Sequence, residues 1–184
     1  MPPALSALWP SRLCREVETL RPRLYRMAYA WCHDAHLAED LTQEAITKAL
    51  ARCGQLREVE SAPAWLFAIL NNCWRDHLRA RRELSDIDEL DDVVLDAQPG
   101  PEGLYESRQT TDRVRAAIAS LPIAQRQVIT LVDLEEYSYA EVARILEVPV
   151  GTVMSRLSRA RQALKERLVA QESSSRRTQL RRVK

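Results

Sequence analysis

The sequence predicts an all-α protein of two small helical domains joined by a flexible acidic linker. Among its 184 residues are only four glycines and one phenylalanine, a composition that favours helices. Apolar residues recur at helical spacing in both halves of the chain. Between those halves, residues 85–106 hold eight acidic residues, two prolines, two glycines and neither Lys nor Arg. Prolines and glycines break helices, so we predict a linker over residues 83–108.

Composition and charge narrow the class of protein. Hydrophobic residues make up 46% of the chain, enough to bury the cores of two small domains. No apolar run is long enough to cross a membrane, and the N-terminus lacks the basic start and long apolar segment of a secretory signal. These features predict a cytoplasmic protein. The net charge is only +1, but acidic residues collect in the linker and basic residues dominate from residue 151 onward.

Two helices are predicted within residues 23–52. The first carries an apolar stripe from Leu24 to Trp31 and is expected to begin at Pro22, since proline fits the first turn of a helix. The second is expected to begin near Leu37. Its outward face is acidic, and on structural grounds alone such a face is simply solvated. That face carries Glu39, Asp40, Gln43 and Glu44.

Residues 61–82 combine an apolar helix face with side chains that suit single-stranded nucleic acid. Trp65 is expected in the core, whereas Trp74 fits the core and the surface equally well. Asn71 and Asn72 are expected to interrupt the helix, because asparagine favours turns and caps. A Trp beside several Arg residues supplies stacking surfaces and phosphate contacts.

The four cysteines, Cys14, Cys32, Cys53 and Cys73, are widely spaced and form no C-x-x-C pair. In a cytoplasmic protein we expect reduced thiols, several of them buried. The local group of Cys32, His33 and His36 offers at most three metal ligands and no second cluster to complete a site. We therefore expect no metal and no cofactor, and a zinc measurement on the purified protein tests this.

Residues 138–168 predict a helix-turn-helix. Ser138 and Glu141 have the S-x-x-E spacing of a capping box, which starts a short helix. Pro149 cannot continue that helix and suits the first turn of the next. The second helix carries Arg and Ser on its outward faces. Its opposite face has an apolar stripe that suits a core, made of Val153, Leu157, Ala160, Leu164 and Leu168. In a helix-turn-helix the second helix enters the DNA major groove.

Residues 121–168 also resemble a known family. The LP-x-x-x-R opening, the Y-x-E-V-A run and the PVGTV-x-SRL-x-RAR core are similar to the promoter −35-binding domain of the extracytoplasmic-function (ECF) sigma factors of bacterial RNA polymerase. The resemblance implies −35 DNA contacts by Thr152, Ser155, Arg156, Ser158 and Arg159. The chain departs from the family at two DNA-facing positions: Met154 replaces a frequent Lys or Arg, and Ser158 replaces a frequent His, Tyr or Phe.

The N-terminal half resembles the same family. The run AEDLTQEAITKAL, residues 38–50, is similar to the sigma helix that docks on the clamp helices of the polymerase large subunit, which implies polymerase contacts by Asp40, Gln43 and Glu44. Residues 61–82 match the segment that recognises and opens the promoter −10 element, where Asn72 falls in a base-capturing loop. The implied −10 contacts are Asn71, Asn72, Trp74, Arg75, Arg79, Arg81 and Arg82.

The predicted organisation is an N-terminal sigma domain (1–82), the linker (83–108), a helix-turn-helix domain (109–171) and a flexible basic tail (172–184). The predicted function is that of an alternative sigma factor, which binds core RNA polymerase and promoter DNA. We expect no enzymatic activity and no small-molecule substrate, because no nucleophile lies near a base in the pattern. The family implies an anti-sigma partner, often membrane-anchored.

Two rival functions predict different behaviour. A stand-alone helix-turn-helix regulator would bind a symmetric operator as a dimer without polymerase. A DNA enzyme, such as a recombinase with a C-terminal helix-turn-helix, would need a catalytic cluster that the sequence does not show. The D-L-T-Q-E helix and the segment at residues 61–82 speak against both rivals.

Overall fold

The computed structural model describes residues 11–52, 62–83 and 106–182, with side chains for most of them. These residues form helices and turns, with no strand among them. In chain order the helices are α1 (Ser11–Cys32), α2 (Ala35–Ala51), α3 (Ala62–Glu83), α4 (Glu106–Ala119), α5 (Ile123–Ile129), α6 (Tyr139–Leu146) and α7 (Val150–Arg182). A π-helical segment, Thr130–Leu134, follows α5. The all-α prediction is confirmed.

The chain divides into two compact units. The first comprises residues 1–88 with 143–148, and the second comprises residues 89–142 with 149–184. Most of the predicted linker, residues 84–105, lies outside the described residues. The helix α7 is described as far as Arg182, past the start of the predicted tail at residue 172. The exact domain and tail boundaries stay predictions.

In the first unit, α1, α2 and α3 contact one another around an apolar core. The stripe predicted on α1 is buried, and Trp31 is fully enclosed. A tight turn joins α1 to α2: His33 has a positive φ of 54°, and Asp34 caps α2. The Asp34 carboxylate accepts hydrogen bonds from the N–H groups of His36 (2.8 Å) and Leu37 (3.1 Å), which satisfies two of the donors left over at a helix start.

Two expectations about helix boundaries in this unit are wrong. Helix α1 passes through Pro22, although a proline lacks the N–H that would bond one turn back. Helix α3 passes through Asn71 and Asn72 without a break. Ile69, Leu70 and Cys73 are buried around the asparagines, and packing of this face outweighs a helix propensity penalty of roughly 0.7 kcal/mol per residue.

In the second unit, α4 and α5 both contact α7. Of the predicted stripe on α7, Val153, Leu157 and Ala160 are buried, whereas Leu164 and Leu168 are only half-buried.

The turn between α6 and α7 is as short as predicted. Glu147, which is grouped with the first unit, takes a positive φ of 57°. At the start of α7, the carbonyl of Pro149 accepts the N–H of Thr152 (2.9 Å).

The capping box at the start of α6 is present. The Glu141 carboxylate accepts hydrogen bonds from the backbone N–H of Ser138 (2.9 Å) and from its hydroxyl (2.6 Å). The N–H of Glu141 in turn donates to the Ser138 hydroxyl (3.3 Å). Both side chains thereby hold the first turn of the first helix of the helix-turn-helix.

Replacing Ser138 with alanine should lower the free energy of unfolding by about 1 kcal/mol, because the N–H of Glu141 loses its acceptor. Urea denaturation followed by circular dichroism measures the loss. Ser138→Thr keeps a hydroxyl that both accepts from the N–H of Glu141 and donates to its carboxylate, and should stay within about 0.5 kcal/mol of the original chain. Equal midpoints for Ser138→Ala and the original chain would show that the capping box contributes nothing.

Candidate nucleic-acid interface

The acidic face predicted on α2 is exposed. Asp40, Gln43 and Glu44 all point to solvent, and they lie on a helix whose other face is packed in the core of the first unit. The Gln43 amide donates to Glu39 (3.3 Å), and Lys48 forms an ion pair with Glu44 (2.8 Å). A rigid helix thus presents two carboxylates and an amide to a partner, an arrangement suited to Arg side chains.

Lys48 connects this face to α3. Its ammonium lies 2.8 Å from Glu44 and 3.6 Å from Asp76. The hydrogen bond to Glu44 raises the pKa of Lys48, so this cation stays charged at neutral pH. Burial, followed by the nearby charge of Glu44, raises the pKa of the Cys73 thiol beside it.

A cavity of about 250 Å³ lies between the end of α2 and the middle of α3. Its lining combines cationic groups, one carboxylate and one amide. The residues are Lys48, Arg52, Ile69, Asn72, Arg75, Asp76 and Arg79. Asn72 is exposed at this cavity. Guanidinium groups suit phosphates, and an amide can hydrogen-bond the edge of a base.

The other predicted −10 residues divide into exposed arginines and two buried side chains. Arg75, Arg79 and Arg81 are exposed on α3. Asn71 is buried and Trp74 is only 1% exposed, so neither side chain offers DNA an open surface in this structure. The family resemblance implies −10 contacts by both residues, although the sequence pattern suits Trp74 equally well to the core. They instead turn inward because they lie on the packed side of a continuous helix, and the ring of Trp74 stacks on His77 at 5.8 Å between centroids.

The side chain of Arg82 lies outside the described residues. Sequence reasoning did not single out Lys48 and Arg52, which line the cavity from α2. The signal that was available is the spacing of Glu44 and Lys48, four residues apart, which places them on one helix face. Nothing in the sequence near α2 indicated that α3 would lie beside that face.

The start of α7 presents the predicted −35 residues. Ser155, Ser158 and Arg159 are exposed, while Thr152 and Arg156 are half-buried. The Ser155 hydroxyl donates to the carbonyl of Thr152 (3.0 Å) and keeps its lone pairs for other donors. One face of α7 therefore carries hydroxyls and a guanidinium, the groups that contact bases and phosphates in a major groove.

A salt bridge fixes the middle of α7 against the preceding segment. The Arg161 guanidinium donates two hydrogen bonds to Asp133, at 2.6 and 3.1 Å. This bidentate contact raises the pKa of Arg161, and Tyr139 adds a smaller contribution in the same direction. Nothing in the spacing of residues predicts this pair, whose members are 28 residues apart.

No group of three potential metal ligands occurs among the described residues. Cys32 is buried, and its thiol donates to the carbonyl of Asp34 (3.2 Å); His36 is exposed. Cys32 and Cys73 are both buried free thiols, as expected of them. The side chain of Cys14 and the whole of Cys53 lie outside the described residues.

Comparison with known proteins accounts for both halves of the chain. Sigma-70 region 2 matches residues 17–84, and Sigma-70 region 4 matches residues 111–164. The chain is 38% identical over 144 residues to the ECF RNA polymerase sigma factor EcfG of Rhodopseudomonas palustris (strain TIE-1), and the match covers 78% of this chain and 77% of EcfG. The chain belongs to the ECF sigma factor family.

A further relative and a solved structure are also sigma factors. This ECF sigma factor is 36% identical over 134 residues to the ECF RNA polymerase sigma-E factor of Escherichia coli (strain K12), covering 68% of this chain and 70% of that protein. Among solved structures, it is similar to the sigma factor RpoE of Bartonella quintana, crystallised with the anti-sigma factor NepR. That match has a TM-score of 0.69 and 29% identity and covers 86% of this chain and 98% of RpoE.

Family membership decides between the predicted functions. An ECF sigma factor is a transcription initiation factor that works with RNA polymerase, which favours this function over the stand-alone dimeric regulator. In the described part of this sigma factor, no helix has both the length and the apolar character needed to cross a membrane.

Proposed function

We propose that this ECF sigma factor docks on core RNA polymerase through the exposed face of α2 and directs it to promoters through two DNA-binding surfaces. The docking residues are Asp40, Gln43 and Glu44. This assignment is supported by their exposure on a helix whose other side is packed in a core. The packing holds the two carboxylates in position in the absence of polymerase, which lowers the cost of binding. Polymerase resides in the cytoplasm, and we place the sigma factor there with it.

The −10 surface is the cavity between α2 and α3. Asn72 lies exposed at its edge, and cationic side chains from both helices surround it. We assign capture of an unpaired base to Asn72 and contacts with the strand backbone to Arg75, Arg79, Arg81 and Arg82. Asn71 and Trp74 are buried, and we assign them to holding α3 in place beneath this surface. Extrusion of a base costs a few kcal/mol, which hydrogen bonds and stacking in the cavity offset.

The −35 surface is the exposed face of α7. Ser155, Ser158 and Arg159 contact the major groove, with Thr152 and Arg156 at its margins. Each surface alone is a modest binder of DNA. A single polymerase holds both at fixed spacing, so their affinities multiply through effective concentration.

We also propose that an anti-sigma protein holds the factor inactive. The support is the relative RpoE of Bartonella quintana, which was crystallised with the anti-sigma factor NepR. A membrane-anchored inhibitor fits the family expectation. A pull-down from cells that recovers polymerase but never a dedicated inhibitor under any growth condition would contradict this part of the proposal.

The exposed position of Asn72 at the cavity is the observation that carries the −10 assignment. Replacing Asn72 with alanine should weaken binding of the polymerase complex to a DNA fork with a single-stranded −10 region by about tenfold, because hydrogen bonds to the captured base are lost. Binding to core polymerase should not change. Fluorescence anisotropy with labelled fork DNA measures the affinity of the polymerase complex for the fork. Gel filtration with core polymerase measures binding to the enzyme.

His36→Ala is a matched control, since His36 is exposed on α2 at the far end from the cavity. It should bind the fork as the original chain does. An abasic site at the captured position should remove the difference between Asn72→Ala and the original chain. Undiminished fork binding and promoter opening by Asn72→Ala would overturn the assignment of base capture to this residue.

A further inference from the structure

A shallow groove runs along α7 beside the proposed −35 surface. It has a volume of about 350 Å³, and the start of α6 contributes Tyr139 to one wall. On α7 the groove is lined by Met154, Leu157 and Ser158 among others. Ser158 is one of the proposed −35 contacts, so the groove adjoins the surface that faces DNA.

The groove has an apolar lining beside Met154. Met154 is 53% exposed and Tyr139 is 38% exposed, whereas Leu157 is buried and forms part of the floor. Met154 and Ser158 lie four residues apart, on one face of the helix. A serine in place of a larger side chain leaves open the space next to Met154. An exposed thioether beside an open space indicates an apolar ligand group.

Two cations line the groove, Arg161 and Lys165, and Lys165 lies eleven residues, about three helical turns, beyond Met154 on α7. Arg161 lines the groove but donates two hydrogen bonds to Asp133, which directs its charge to a protein carboxylate. The position of Met154, where the family often has a basic residue, carries no charge. Together these features disfavour a phosphate as the group that enters the groove next to Met154.

Thymine carries the one apolar group that B-DNA projects into its major groove, the 5-methyl. Contacts between apolar side chains and this methyl distinguish thymine from cytosine. We propose that Met154 is a specificity-determining residue. The 5-methyl group of a thymine in the −35 element enters the groove and packs against Met154, Leu157 and Tyr139. This inference rests on the proposed −35 function of α7 and adds the chemical group that the groove reads.

The test removes only the methyl group. The complex of this chain with core polymerase is bound to a duplex promoter, identified beforehand by run-off transcription, in which each −35 thymine is replaced in turn by uracil. Uracil keeps the base pair and every hydrogen-bonding group of thymine. At one position the affinity should fall about fourfold, which corresponds to the burial of one methyl-sized apolar group.

Variants show whether Met154 is responsible. With Met154→Ala the penalty for uracil at that position should shrink to less than about 1.5-fold, while Met154→Leu should keep most of it. Val150→Ala is the matched control, because Val150 is also an exposed apolar residue of α7 but does not line the groove. With Val150→Ala, the loss of affinity on replacement of thymine by uracil should be as large as with the original chain.

Two results would overturn the inference. One is a uracil series without effect at any −35 position; the groove would then be open to an apolar side chain of a protein partner instead. The other is a uracil penalty that persists unchanged in Met154→Ala. Either result leaves the proposed function standing, provided that the complex initiates at the promoter. A failure of the chain to direct polymerase to any promoter would instead remove the proposed function itself.

Discussion

Replacing Arg126 with leucine is expected to destabilise the second unit by about 3 kcal/mol or more. Arg126 is fully buried, and its guanidinium donates to the carbonyls of Ala119 and Leu121, the latter at 2.8 Å. Ala119 is the last residue of α4 and Leu121 lies in the turn to α5, and carbonyls at a helix end lack the N–H of a following helical turn. Leucine fills part of the space but leaves both acceptors buried without this donor, at a cost of about 1–3 kcal/mol each.

Urea denaturation followed by circular dichroism measures the loss. Arg126→Lys should also be destabilised, since an ammonium cannot reproduce the planar fork of donors. Arg144→Leu is the matched control: Arg144 is exposed on α6, and its replacement should change the free energy of unfolding by less than about 0.5 kcal/mol. If Arg126→Leu unfolds at the same urea concentration as Arg144→Leu, the carbonyl contacts do not stabilise the fold.

Reversing the charges of Asp40 and Glu44 together is expected to weaken binding to core RNA polymerase by at least about 100-fold. Close charge pairs across an interface contribute about 1.5–7 kcal/mol, and the double variant replaces two attractions with two repulsions. Both side chains are exposed, so the fold should survive; circular dichroism checks this. Affinity for core polymerase is measured by titration of labelled chain.

Asp40→Asn with Glu44→Gln removes the charges without reversing them and should cause a smaller loss. The control is Glu136→Lys with Glu166→Lys, which makes the same change of net charge at exposed carboxylates of the second unit. It should bind core polymerase as the original chain does. If both double reversals weaken binding equally, a general loss of negative charge explains the result and α2 is not the docking face.

Local signals in the sequence predicted local structure well. The capping box of Ser138 and Glu141 forms as its spacing implies, because its partners are three residues apart on one turn. The buried stripe of α7 follows from helical periodicity alone. Both inferences need no knowledge of what lies beyond the helix.

Sequence reasoning failed where packing from other elements overrides local preference. Pro22 and the two asparagines of α3 disfavour helix interiors, yet the apolar faces around them are buried and the helices continue. The sequence pattern suits Trp74 equally well to the core and to the surface, and only the neighbours of α3 decide that it is enclosed. Arg126 was recognised as part of a family motif, but a charged side chain is so seldom buried that its position inside the second unit was not predicted.

The candidate sites show the same division. Periodicity and resemblance identified the exposed residues of α2 and α7, each of which lies on one helix. The cavity at Asn72 combines residues from two helices, and the groove at Met154 combines α7 with Tyr139. Such combinations depend on how helices pack, which spacing along a single helix does not contain.

Transcription from promoter DNA by core RNA polymerase, with and without the purified chain, shows whether the chain is a sigma factor in practice. With the chain present, run-off assays on genomic fragments should yield transcripts from a small set of start sites, each lost when Asp40 and Glu44 are reversed. Core polymerase alone should yield none of them. A chain that neither binds core polymerase nor produces any such transcript would contradict the account.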